Sequence, residues 1–218
     1  MAPYVDWAMS AASWGLGAVG ALGSTVLVIV AGYFLASEPA LYQRGMAMLF
    51  PKDQQGRVED ALEQGGAGLF QWLKGQLVSM SIVGILIGLG AWIIGLPAPV
   101  ALGLFAGLAD FVPVIGPVIA AVPVLAVAAT QDGSTMLWTL ALILAVQQIE
   151  ANMIMPLVNQ STVNIPPALL LLNVFVFGIV FGGVGVIVAA PLTVVVFVLV
   201  KKLYITDALE QKVELPAD

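Results

Sequence analysis

Two acids, Asp110 and Glu150, stand inside apolar runs of this chain, and from residue 75 to residue 200 there is no Lys, Arg or His to neutralise them. A carboxylate placed in hydrocarbon costs about 3 kcal/mol even on the lenient insertion scale, so each acid must find a proton, a cation, water or nearby amides. Asp110 opens the run Asp-Phe-Val-Pro-Val-Ile-Gly-Pro, residues 110–117, in which Pro113 and Pro117 lack amide hydrogens and free carbonyls from helical bonding. Oxygens converge there. Such a site suits a cation, a proton or the hydroxyls of a solute, and the same residues would equally serve as a helix cap that satisfies its own neighbours. Further on, Gln147 and Glu150 share a helical face at i, i+3, with Gln148 and Asn152 within two turns and Pro156 closing the run. This stripe could handle protons or cations. It could also be interhelical hydrogen-bond glue whose acid reaches water at the helix end.

These acids belong to a membrane protein. The chain is 61% hydrophobic and 9% charged, against roughly half and a quarter in a soluble domain, so it cannot assemble a water-facing surface. No polar stretch is long enough for a separate soluble domain, and residues 1–218 read as one polytopic membrane domain. The absence of Cys removes disulfides and thiol chemistry, and the absence of His removes His-metal sites, Ser-His and Cys-His nucleophile pairs and His proton shuttles. No metal or cofactor is implied. No basic patch invites nucleic acid, and two membrane acids without the paired-Asp motifs of intramembrane proteases leave the enzyme reading last.

The elements that must position the acids are five apolar blocks. Gly15 to Ala36 and Gln76 to Gly95 read as plain transmembrane helices, the second with Gly84 and Gly88 as a small-xxx-small pair. Residues 98–130 are broken at Asp110 to Pro117 into arms too short to cross a bilayer, which predicts a re-entrant hairpin. Thr135 to Val158 crosses. Residues 166–200 are cut by Gly182, Gly183 and Gly185, with Pro191 beyond, and predict a second hairpin whose tip lets backbone approach a solute or simply reverses the chain. Asn173, alone in its first arm, reads as structural. The stretch Gly116 to Pro123 echoes Gly185 to Pro191; paired interrupted segments point to a transporter's substrate site, and Val, Ala, Gly and Pro equally recur by chance in any apolar membrane chain.

Residues 51–74 predict an amphipathic helix with Val58, Leu62, Leu69 and Leu73 on one stripe, weakened at Gly65 and Gly66. It would lie on headgroups, pack against other copies, or cover its own protein. All seven Lys and Arg fall at 44–74 and 201–212, so the positive-inside rule places residues 37–75 and the C-terminus in the cytoplasm. The fold class that follows is an all-α integral membrane protein: transmembrane helices, two broken re-entrant helical hairpins entering from opposite faces with tips near the midplane, and one amphipathic cytoplasmic helix.

The order and spacing of four motifs resemble the autoinducer-2 exporter (AI-2E) family of PerM-like permeases. They are Asp110 to Pro117, Gln147-Gln148-Ile-Glu150-Ala-Asn152 with Pro156, Pro167, and Phe181-Gly182-Gly-Val-Gly185 with Ala190-Pro191-Leu192. The resemblance implies a multi-pass bacterial inner-membrane transporter, a homo-oligomer with a pentamer as one form, and an elevator-like mobile part. It implies a solute or ion path at Asp110, Pro113, Gly116, Pro117, Gln147, Glu150, Asn152, Gly182 and Gly185, with Pro156 and Pro191 as structural hinges. It implies either export of a small polar solute like autoinducer-2 or sodium (lithium)/proton antiport. It also implies that this chain corresponds to the later two-thirds of a member, without the front helices, so a non-transporting assembly partner or inactive fragment is the third reading. A Gly-Arg pair and a His that members often carry in the cytoplasmic turn are replaced here by Gln160-Ser161 and Pro166.

Overall fold

The computed structural model describes residues 26–28, 30–156 and 165–206, which are helical with no strand among them. Contacts divide the chain into Met1–Glu59 and Asp60–Asp218. In the first unit, the described part of the expected first span is helical and meets α1 (Pro39–Ala47) at a bend of 86°. Pro39 in the first turn suits a helix start, where its missing amide hydrogen leaves no bond unmade.

The second unit carries the two acids. It takes in α2 (Gln55–Ile94) from Asp60 onward, and in the 40 residues of that helix the expected amphipathic segment and second span run together without a break. Gly65 and Gly66 each cost about 1 kcal/mol against alanine in an open helix, and packing covers the first of them while Gly66 stands exposed. Gly65 lies under Leu199 and Val195, with an added Cβ 3.6 Å from Leu199. The buried line of α2 is Ala61, Trp72, Gln76 and Ser79 with glycines between, and Asp60 pairs with Lys202 at 2.6 Å. Of the three roles open to the amphipathic segment, covering its own protein is the one these contacts show.

The first hairpin follows. α3 (Pro99–Ala109) and α4 (Ile115–Ala128) have 11 and 14 residues, about 17 and 21 Å at 1.5 Å per residue, each short of a bilayer core of about 30 Å. α3 lies tight along α2 because four glycines face one another. A Cβ on Gly103 would sit 2.5 Å from the Gly84 carbonyl oxygen, and one on Gly107 2.6 Å from that of Met80. At the far end of α4, Asp132 caps α5 (Gly133–Ile149) by accepting the Thr135 amide at 2.7 Å, and that bond holds its carboxyl below the usual aspartate range. α5 continues as a π-helical turn, Glu150–Ile154, and the 22 residues from Gly133 are long and apolar enough to cross a membrane. Val83, Ile87, Ala106, Val124, Ile143 and Val146 form the core that α2 to α5 share.

α6 (Pro167–Val200) contains the second hairpin. Its backbone leaves helical geometry at Gly182, φ 64° and ψ −147°. Asn173 Nδ2 nonetheless donates to Thr193 Oγ1 at 2.9 Å, and in a straight helix residues 20 apart would stand about 30 Å from each other. The chain therefore folds back at Gly182, and the two arms, 167–181 and 183–200, measure about 22 and 27 Å. Asn173 is the structural residue the sequence suggests, fastening one arm to the other. The expected polar turn, Asn159 to Pro167, lies outside the described residues save for its last three, Ile165, Pro166 and Pro167.

Candidate functional site

The site is built at the tip of the first hairpin. α3 ends at Asp110, and the backbone then takes a conformation that L-residues rarely adopt, Val114 at φ 71°. Helical bonding lapses there and Gly116 makes the return possible, since a Cβ on it would collide with the Ala109 carbonyl. The break frees the Asp110 carbonyl oxygen, and Gln76 Nε2 of α2 donates to it at 2.6 Å. One turn on, Ser79 Oγ donates to Asp110 Oδ2 at 3.0 Å. Asp110 is only 1% exposed, so these bonds replace water the carboxyl cannot reach. Trp72 completes the stripe by meeting Phe111 edge to face at 5.9 Å.

Glu150 arrives from the other side. It sits on the first residue of the π-helical turn that extends α5, half-buried, and its carboxyl lies within hydrogen-bonding reach of the Asp110 carboxyl. Single π turns inside α-helices gather at functional sites. Between Glu150, Gln147, Pro117, Ala106 and Val124 is a cavity of about 20 Å³, enough for one water. Two acids on separate elements, 40 positions apart in sequence, thus form one polar centre inside an apolar bundle.

The second hairpin packs on this tip through its arms. Val112 is buried with Val174 and Ala189, and Phe111 also touches the cluster of Trp72, Ala190 and Val194. The residues expected in a solute path accordingly fall in two places. Asp110, Gly116, Pro117, Gln147 and Glu150 come together, with Pro113 in the connecting turn. Asn152 is exposed and donates to the Gln148 carbonyl on its own helix at 2.9 Å. Gly182 lies at the far tip of the second hairpin, where an added Cβ would meet nothing within 4 Å, and Gly185 closes that bend against the Phe177 carbonyl. Pro191 sits inside the returning arm and Pro156 follows the π-helical turn. Gln76 and Ser79 hold Asp110 and were not among the candidates, although two polar residues at i, i+3 in an apolar block were the signal.

Among the described residues no cluster of three or more acids could hold a metal. A larger groove of about 670 Å³ runs along the outside of α2 and α3, floored by Gly84, Gly88, Gly103 and Gly107 and walled by Trp92 and Leu104. Neither acid lines it.

Comparison with known proteins gives one family and several relatives. A sequence profile described as AI-2E family transporter matches residues 6–205. YrrI of Bacillus subtilis, named provisionally as a transport protein, is 29% identical over 77% of this chain and 47% of its own length. A Thermotoga maritima protein with the same provisional name is 28% identical over 77% of this chain and 52% of its own. PerM of Escherichia coli K12, named provisionally as a permease, is 27% identical over 78% and 49%. The chain spans about half the length of these curated relatives. No solved structure matches it.

Proposed function

The chain belongs to the AI-2E transporter family, and on that premise we propose that it is a secondary membrane transporter exporting a small polar solute of the autoinducer-2 kind, with Asp110 and Glu150 on the solute path. The observation that carries this reading is the buried carboxyl of Asp110, presented at a helix break and engaged by side chains from two other elements. A membrane protein bears the cost of a buried acid where substrates, ions or protons pass. Broken helices supply the backbone groups that such a site needs.

The bacterial relatives suggest an inner-membrane protein, and the concentration of Lys and Arg at 44–74 and 201–212 supports residues 37–75 and the C-terminus in the cytoplasm. A homo-oligomer, such as a pentamer, would cover part of the long apolar faces of α2 and α6 that the single chain leaves open. Antiport of sodium or lithium against protons is the second reading, favoured by the fact that both charged groups of the site are acids.

The test is flux in vesicles. Proteoliposomes holding the chain should release trapped autoinducer-2 at least several-fold faster than empty ones, independently of sodium. Equal rates for the two preparations would reject export, and sodium flux with proton counterflow in its place would establish antiport.

A further inference from the structure

Deepening that reading, we propose that Asp110 and Glu150 share a single proton, so that the pair is a proton-binding site rather than a metal-cation site, and that this proton is the coupling ion. Two carboxyl groups within hydrogen-bonding reach of each other can form that bond only if one of them carries hydrogen. Two ionised carboxylates at such a distance repel, and in an apolar surrounding the repulsion is larger than in water. The proton then belongs to the pair.

Among the described residues, the groups facing the pair leave it no other source of neutralisation. From α2 come Gln76 and Ser79, which cannot titrate, and the nearest charge on that helix, Lys74, stands 5.4 Å over the ring of Phe70. Between residues 75 and 200 the only other ionisable side chain is Asp132, at the opposite end of α5, about 27 Å away along the helix. The second hairpin, packed on the tip, has no ionisable side chain from Pro167 to Val200, and Lys202 beyond it is paired with Asp60. A metal cation is poorly served. It takes its ligands as oxygens, several at once, whereas Ser79 and Gln76 turn hydrogens toward Asp110 and the adjoining cavity of about 20 Å³ holds one water. The role as coupling ion rests on the transport reading; the shared proton does not.

Infrared difference spectroscopy on the full chain in lipid, at neutral pH, reads the proton directly. The wild type should show the C=O stretch of a protonated carboxyl, and the band should vanish in both Asp110→Asn and Glu150→Gln, because each variant leaves one acid facing an amide donor and able to ionise. Survival of the band in either variant, or its absence from the wild type, overturns sharing. Where a variant does not fold, carbon-13 labelling of the wild type replaces it: a shared proton makes the band respond to aspartate and to glutamate label alike, and a response to only one overturns sharing. Exchanging choline for sodium should leave the band in place. Its loss in sodium shows a cation displacing the proton and overturns the proton-only assignment. An intact band pattern without any flux would reject the transport reading alone.

Discussion

Ser79 contributes one hydroxyl, and its loss would leave Asp110 Oδ2 without that donor in a place water does not reach. Removing a hydrogen bond to a buried carboxyl costs about 1–3 kcal/mol. Ser79→Ala should therefore lower the thermal unfolding midpoint of the protein in detergent, whereas Ser81→Ala, whose exposed hydroxyl bonds only to Leu77 on its own helix, should leave it unchanged. Equal effects would remove Ser79 from the site. In the sequence Asp110 declares itself, because an acid between prolines in an apolar run has few explanations. Gln76 and Ser79 do not, since a polar residue in a membrane helix takes its meaning from a partner 31 to 34 positions away. Asn152 sits near Glu150 in sequence, and its amide donates to the Gln148 carbonyl on its own helix.

At the scale of elements, each hairpin is made by a glycine that nothing larger could replace. A Cβ at Gly116 would strike the Ala109 carbonyl and one at Gly185 the Phe177 carbonyl, and backbone cannot move aside as a side chain can. Gly116→Ala and Gly185→Ala should each destabilise the protein by about 3 kcal/mol or more. Gly183→Ala, where an added Cβ has open space, should change stability by less than about 0.5 kcal/mol. Unfolding followed by helical circular dichroism in lipid nanodiscs separates the two classes, and a Gly183 effect as large as that of Gly116 would contradict the packing described here. Both breaks are legible in the sequence because proline and glycine interrupt otherwise apolar runs. The continuity of α2 through Gly65 and Gly66 is not, because Leu199 and Val195 reach Gly65 from the far end of the chain.

For the molecule as a whole, composition alone establishes a membrane protein, and the spacing of four motifs leads to the family that the profile match then shows. What composition could not supply is the meeting of Asp110 with Glu150, which requires α2, the first hairpin and α5 to pack in one particular arrangement. On the transport reading, this meeting point lies on the solute path. The most direct test is autoinducer-2 efflux from proteoliposomes bearing wild type, Asp110→Asn or Glu150→Gln at equal, verified amounts of folded protein. Both substitutions should reduce efflux at least tenfold and flatten its dependence on pH. Efflux in both variants at the wild-type rate, with the wild-type pH profile, would contradict that placement.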